Sequence, residues 1–282
     1  EEGPVSNTME YAYDDWCVAQ MARALDKEED YREFIKRAGY YKNVFDPDVK
    51  YVRQKHKDGT CVEDFDPFSL SGFVEGNSWQ YTYFVPHDVQ GLVDLIDRRE
   101  FNDRLNEGFE RASQGNFMAM YGRGRGVNHG NQPNMQAAWL FNYSGKPWLT
   151  QKWSRRIMEQ YYRATPFDGW LGDEDQGQMG AWFVMNSMGL FEMRGGAAVK
   201  PVYEIGSPLF DKITIHLDSD YYSGETFVIE TRNNSKGNIY VQSATLRGEP
   251  LEKPWFYHSE LAKGGKLVLE MGPEPNKQWG SD

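Results

Sequence analysis

Basic residues are the scarce charge in this chain. Its 282 residues carry 31 Lys and Arg against 42 Asp and Glu, a formal net charge of −11. A surface this negative repels phosphate backbones and anionic headgroups, which excludes nucleic acid and an anionic membrane surface as expected partners. Cysteine is nearly absent, with Cys17 and Cys61 only. They form no C-x-x-C pair, and two thiols do not make a disulfide framework. Cys17 falls inside a helical pattern and is expected as a buried thiol. No apolar run is long enough to span a bilayer, so membrane insertion is not expected. The first residues, Glu-Glu-Gly-Pro, hold no Met and no signal peptide, which says nothing about secretion if the chain is processed or truncated. A nucleophile elbow, a zincin helix and a dinucleotide fingerprint are all missing. The run Gly122-Arg-Gly-Arg-Gly126 lacks the preceding strand and the Lys-Ser/Thr signature of a phosphate cradle.

Aromatic side chains are plentiful, at 15% with 9 Trp and 17 Tyr. Most must fill a core, but their flat apolar faces and polar edges also suit sugar rings. The first two thirds of the chain have helical periodicity. Asn7 to Glu10 has the spacing of a capping box ahead of a helix running to Leu25. Asp30 to Tyr41 places Tyr31, Phe34, Ile35 and Ala38 on one face. Residues 46–78 are loop-rich, and Pro86 has the look of a first helical residue. Further helices are expected around 99–112, 133–143, 147–163 and 174–189. Beyond the boundary near Gly195 to Ser207 the period changes. Ile213–Leu217, Thr226–Glu230, Asn238–Gln242 and Lys266–Glu270 have strand character, separated by Asn, Gly and Pro clusters. The expected fold is mainly α with a C-terminal β region of sandwich or meander type. Residues 1–198 would form the helical part and 199–282 the β part. Helix–loop–helix units with long functional loops suit an α/α toroid, although no sequence repeat is visible.

Three consecutive carboxylates, Asp173, Glu174 and Asp175, stand in the run G-D-E-D-Q-G-Q-M-G-A-W from Gly172. Like charges this close repel, so folding alone does not call for them. A helical pattern follows (Met179, Trp182, Phe183, Met185), and carboxylates are stabilised at a helix N-terminus by its dipole. Taken alone, the triplet is explained as a helix cap. Upstream, Glu75 sits between Phe73-Val74 and Gly76-Asn-Ser-Trp79. Apolar neighbours would desolvate it and raise its pKa toward what a general acid needs, although an exposed loop Glu fits the same segment. Asn128-His-Gly-Asn-Gln-Pro133 clusters an imidazole and amides before a helix. Amide oxygens suit a hard cation such as Ca²⁺, and the same residues are ordinary turn formers. Together Glu75, as acid, and Asp173 and Asp175, on the opposite side, supply the parts of a glycoside hydrolase; their types alone leave inversion and retention open.

Seven segments in fixed order resemble the family 92 glycoside hydrolases. They are Tyr11-A-Y-D-D-W-Cys17, Glu75-G-N-S-W-Q-Tyr81, His129-G-N-Q-Pro133, Gly145-K-P-W-L-T-Gln151, Gly172-D-E-D-Q-G-Q-M-G-A-Trp182, Tyr203-E-I-G-S-P-L-Phe210 and Met271-G-P-E-P-N-K-Q-W-Gly280. The resemblance implies a calcium-dependent, inverting exo-α-mannosidase. Glu75 would be the general acid. Asp173 and Asp175 would position and deprotonate the attacking water, with Asp175 the base and Glu174 without a catalytic part. A Ca²⁺ would bind the 2- and 3-hydroxyls of the mannose and help distort the ring. Asn131, Gln132 and Gln151 are its candidate ligands, and Trp79, His129, Asn131 and Gln132 the candidate sugar contacts.

Two departures stand out. The family usually has G-N-E-P where this chain has Gly130-Asn-Gln-Pro133, which removes a charge beside the presumed sugar and calcium. Its middle acid is commonly Asp rather than Glu174. The resemblance covers only the C-terminal part of the family's catalytic region, leaving part of an (α/α)6 toroid. An N-terminal segment or companion chain is therefore expected to complete it. The implied substrates are mannose-containing glycans with terminal α-1,2 or α-1,3 mannose, and the implied location is secreted, periplasmic or at the cell surface. A non-catalytic mannan-binding or scaffold relative is the alternative. A polysaccharide lyase ranks last, because a negative pocket repels its acidic substrate.

Overall fold

In the computed structural model, residues 3–117, 125–172 and 174–281 are described. Asp173 and most of the Gly122–Gly126 run lie outside the described residues. The chain divides into two compact units, one of residues 1–137 with 197–199, the other of 138–196 with 200–282.

The first unit is helical. Helix α1 (Pro4–Ala24) and helix α2 (Glu28–Ala38) form a hairpin, followed by α3 (Tyr41–Val44) and the short pair β1 (Phe45–Asp46) and β2 (Tyr51–Val52). Helices α4 (Ser78–Thr82), α5 (Val89–Ile96), α6 (Arg98–Gln114) and α7 (Gln132–Met135) complete it. Helix α1 starts earlier than the capping-box spacing suggested. Pro4 occupies the first turn, where its missing N–H costs nothing, and Gly3 precedes it at φ 61°. Gly3 is required there, because a Cβ would lie 2.4 Å from Val74 Cγ2. Val5, Met9, Ala12, Trp16 and Ala19 bury one face of α1, while Tyr11, Val18 and Met21 of the helix and Leu25 just after it are exposed. Pro86 does not open a helix. Asp88 does, its carboxylate accepting the Gly91 N–H at 3.1 Å, so α5 begins at Val89. In α2 the expected face holds: Tyr31, Phe34 and Ile35 are half-buried and Ala38 is buried. Cys17 is half-buried rather than buried, and neither cysteine is in a disulfide.

The second unit combines a 3-10 turn (Ala137–Asn142, whose first residue belongs to the other unit), helices α8 (Pro147–Gln160) and α9 (Gln178–Ser187), and two sheets. Strands β3 (Leu190–Phe191), β4 (Val202–Ile205) and β9 (Trp255–Tyr257) form a three-stranded antiparallel sheet. Strands β5 (Lys212–His216), β6 (Thr226–Arg232), β7 (Tyr240–Leu246), β8 (Glu249–Pro250) and β10 (Gly265–Gly272) form a second sheet in the order β5-β6-β10-β7-β8. Its β6–β10 pair is parallel and its other pairs are antiparallel. Period-2 alternation in β6 turns Phe227 and Ile229 inward, where they share a core with Val241, Leu267 and Leu269. Phe256 of the smaller sheet stacks on Phe227 at 5.7 Å, and Leu190 and Ile205 join the same cluster. The five-residue helix α10 (His258–Ala262) links β9 to β10.

Packing therefore does not divide where helices give way to strands. The expected boundary lies at 198/199, whereas α8 and α9 group with the sheets in one unit. The buried guanidinium of Arg155 on α8 donates to the Ser207 carbonyl at 3.2 Å, to the Pro208 carbonyl and to Asn234 Oδ1 at 2.6 Å. Trp139 Nε1 donates to Asn186 Oδ1 of α9 at 3.1 Å. Among the described residues, no helix is long and apolar enough to cross a membrane.

Candidate active site

Glu75 lies between Val74 and Gly76 on the loop ahead of α4. It lines a cleft of about 330 Å³ with Ser6, Asn7, Glu10, Val74, Tyr81, Asn131, Gln132 and Pro133. The sequence brings these together by simple means. Asn77 caps α4, its oxygen accepting the Gln80 N–H at 3.0 Å, and so fixes the end of the Glu75 loop. Pro133 lies in the first turn of α7, which begins at Gln132 with Asn131 as its N-cap residue. Asn131 Nδ2 donates to the carbonyl of Glu75. Glu75 has φ 51°, a left-handed conformation that costs a residue with a Cβ about 1–2 kcal/mol and persists only where the surroundings impose it.

The poorly solvated pocket expected around Glu75 is not what these residues build. Glu75 and Val74 are exposed, and Trp79 turns away. The Trp79 indole is buried against Gly108, where a Cβ would lie 2.1 Å from its Cζ2, and its ring lies 5.0 Å from that of Tyr83. It borders a different groove, with Tyr51, Phe68 and Arg104. Trp79 is thus a core residue, not a wall of the Glu75 cleft. His129 is also misplaced by the sequence expectation. It is fully buried, and burial pushes its pKa down to about 3, so it is a neutral core imidazole and does not line the cleft.

Two residues that the sequence reading passed over stand beside Glu75. Glu10 lines the cleft, with its pKa raised by burial despite a hydrogen bond from Tyr81. Gln80 is buried, and among the described residues its Oε1 has no hydrogen-bond partner. A Cβ placed on Gly76 would lie 3.4 Å from that oxygen. Its position within E-G-N-S-W-Q-Y was the available signal. An orphaned buried acceptor costs on the order of 1–3 kcal/mol, so it calls for a partner such as a cation or water. Among the described residues no group of three or more His, Cys, Asp or Glu is placed to hold a metal ion. A cation here would rely on neutral oxygens and single carboxylates, a donor set that suits a hard ion such as Ca²⁺ rather than zinc. Gln151 does not fit that role. It is buried in the second unit, and its Oε1 accepts the Val241 N–H at 3.0 Å, tying α8 to β7.

In the second unit Glu174 and Asp175 lead into α9, as the charge pattern suggested. Glu174 supplies the cap. Its carboxylate accepts the N–H groups of Gly177 and of Gly180, the latter at 3.0 Å. Asp175 and Gln176 follow at φ 50° and 65°, and Gly177 at 88°, so the loop makes a left-handed passage that leaves Asp175 half-buried. Tyr161 donates its hydroxyl to the Leu171 carbonyl and braces the loop from the other end. Phe167, in the preceding loop, is 98% exposed.

A family model described as the glycosyl hydrolase family 92 catalytic domain matches residues 1–273. A family GH92 α-mannosidase from Bacteroides thetaiotaomicron is 35% identical with a TM-score of 0.87, over 99% of this chain and 36% of that one. Its structure in complex with mannoimidazole superposes with a TM-score of 0.89, over 100% of this chain and 38% of that one at 33% identity. A family GH92 inverting mannosidase from the same species is 32% identical with a TM-score of 0.87, over 99% of this chain and 38% of that one. A secreted glycosidase of Arthroderma benhamiae is 28% identical over 98% of this chain and 36% of its own length. The chain thus spans little more than a third of the relatives it matches. Its fold is that of the corresponding portion of those mannosidases, part of an (α/α)6 toroid followed by strands.

Proposed function

This chain belongs to glycosyl hydrolase family 92, and on that premise we propose that, within its full-length protein, it carries the acid and base of an exo-acting α-mannosidase. Glu75 is the general acid, protonating the leaving oxygen. Asp175, with Asp173, activates the water that attacks the opposite face of the sugar in one inverting step. The observation that carries this reading is the Glu75 cleft. A carboxyl group held in left-handed backbone faces a concave surface whose other polar groups, Asn7, Asn131 and Gln132, suit sugar hydroxyls.

Ca²⁺ is the proposed cofactor. Asn131, Gln132 and the orphaned Gln80 oxygen are the candidate ligands on this chain, and the ion would supply a Lewis acid for sugar hydroxyls. Terminal α-1,2- or α-1,3-mannose on glycans is the proposed substrate, and the protein is proposed to act outside the cell. A further segment completes the toroid. The exposed stripe of Tyr11, Val18 and Met21 on α1, continued by Leu25 after its end, is the kind of apolar surface such a segment covers.

The test uses the full-length protein. Glu75→Gln is expected to lose about 10²- to 10⁴-fold on a mannoside with a poor leaving group, and far less on a dinitrophenyl mannoside, which needs no proton. Inversion makes β-mannose the first product seen by proton NMR. EDTA should abolish turnover and Ca²⁺ restore it. Loss of equal size on both substrates removes Glu75 from the acid role. The replacement of the family's Glu by Gln132 favours a second reading, a mannan-binding relative without turnover. Binding of mannan with no release from an aryl α-mannoside would select it.

A further inference from the structure

We propose that Tyr81 and Glu10 are positioning residues for Glu75, holding the peptide ahead of it so that its carboxyl group faces the cleft. The proposal rests on Glu75 being the acid of the reading above. Several ties converge on this one stretch of backbone. The Val74 N–H donates to Ser6 Oγ at 3.0 Å. The Val74 carbonyl accepts from the Tyr81 hydroxyl at 3.1 Å. The Glu75 carbonyl accepts from Asn131 Nδ2. Val74 and Glu75 are both exposed, so packing does not fix them. Hydrogen bonds must hold the left-handed turn instead.

Tyr81 is the centre of this arrangement. Its ring is boxed in, 5.6 Å from Phe73 and directly under Gly76, where a Cβ would lie 2.8 Å from Cε2. Its hydroxyl has one proton and two acceptors, the Val74 carbonyl at 3.1 Å and Glu10 Oε1 at 3.3 Å. Glu10 comes from α1, so the loop is referenced to a long helix rather than to itself. Without the hydroxyl, the Val74–Glu75 peptide loses that tie, and the ties left on this stretch lie on either side of it, Ser6 at the Val74 N–H and Asn131 at the Glu75 carbonyl. It can then rotate out of the left-handed region and carry the carboxyl group away from the leaving oxygen. Misplacement by about 1 Å is enough to cost on the order of 100-fold.

The test compares Tyr81→Phe, Glu10→Gln and Glu10→Leu in the full-length protein, with a poor-leaving-group mannoside and a dinitrophenyl mannoside. Tyr81→Phe and Glu10→Leu should lower kcat on the poor leaving group about 10- to 100-fold, with KM little changed. On the dinitrophenyl substrate they should fall less than about threefold, because the acid is not needed there. Glu10→Gln keeps an acceptor oxygen and should recover to within about threefold of the parent on both. A merely structural role would depress both substrates together. Equal losses on both, or no loss on the poor leaving group, overturns the proposal. Glu75→Gln is measured alongside: if its own loss ignores the leaving group, the acid assignment fails and the pair with it. If Glu75→Gln is selective and Tyr81→Phe is not, the pair alone fails.

Discussion

The two acidic loops, one in each unit, are held by opposite means. The Glu75 loop is tied from outside, by Ser6 and Glu10 of α1, by Tyr81 of α4 and by Asn131 ahead of α7. The 172–177 loop is tied largely from within, by its own Glu174 folded onto the start of α9. Both place a candidate carboxylate at positive φ, Glu75 at 51° and Asp175 at 50°. A strained carboxylate can therefore be imposed by distant side chains or by a neighbour in sequence. The first kind is exposed to changes in the helices around it, and the second travels with its own helix.

The largest effect should separate the chemistry of the two loops. Asp175→Ala is expected to lose about 10²- to 10⁴-fold on every mannoside, dinitrophenyl leaving group included, because water activation is needed whatever leaves. Glu75→Gln spares the activated substrate. If Asp175→Ala also spares it, the two loops share the acid role and the contrast between them collapses.

Buried charge sharpens the comparison between the units. Where the first unit half-buries Glu10, the second buries Glu204 completely, between Tyr143, Glu192, Arg194 and the Met193 N–H. Burial, reinforced by the negative charge of Glu192, raises Glu204 from 4.5 to about 7, although the Tyr143 hydroxyl donates to its carboxylate. The folded chain then holds a proton that the unfolded chain releases. This stabilisation is full below pH 4.5 and is lost as pH rises through about 7. The loss is on the order of 3 kcal/mol. Thermal melts of the parent and Glu204→Gln at pH 5 and pH 8 check the sign. The parent should lose more stability than the variant on going to pH 8, and a parallel pair of curves would show that Glu204 does not keep its proton.

How far the sequence could carry the reader differs between the loops as well. The strand cores were legible, because alternation in Thr226–Arg232 is a local pattern. The α2 face was legible for the same reason. Starts of helices were less so, since Asn7–Glu10 and Pro86 were each outcompeted by a neighbour, Gly3-Pro4 and Asp88. The short strands Val202–Ile205 and Trp255–Tyr257 had too few residues for a period to show. Motif order singled out Glu75 and Asp175 as candidates, yet it could not say which motif residues face the cleft. Trp79, His129 and Gln151 share motifs with the site but serve the core or the contact of α8 with β7. Glu10 was missed because its contact with Tyr81 spans 71 residues, and Gln80 because the motif does not say which of its side chains is buried beside Gly76.

The smallest effect tests the self-contained loop directly. Glu174 accepts two backbone N–H groups at the first turn of α9, so Glu174→Ala removes the cap and is expected to cost about 1–2 kcal/mol of stability. Glu174→Gln keeps an amide oxygen for one of those groups and should recover about half of the loss, at the price of the charge that favours the helix N-terminus. Activity should fall modestly and by the same factor on both classes of leaving group, because the loop that carries Asp175 loosens as a whole. Denaturant unfolding of the two variants beside the parent measures the first part, and paired kinetics the second. If Glu174→Gln instead abolishes turnover while leaving stability unchanged, the glutamate acts in the chemistry. The second loop would then need outside support of the kind that α1 gives the first.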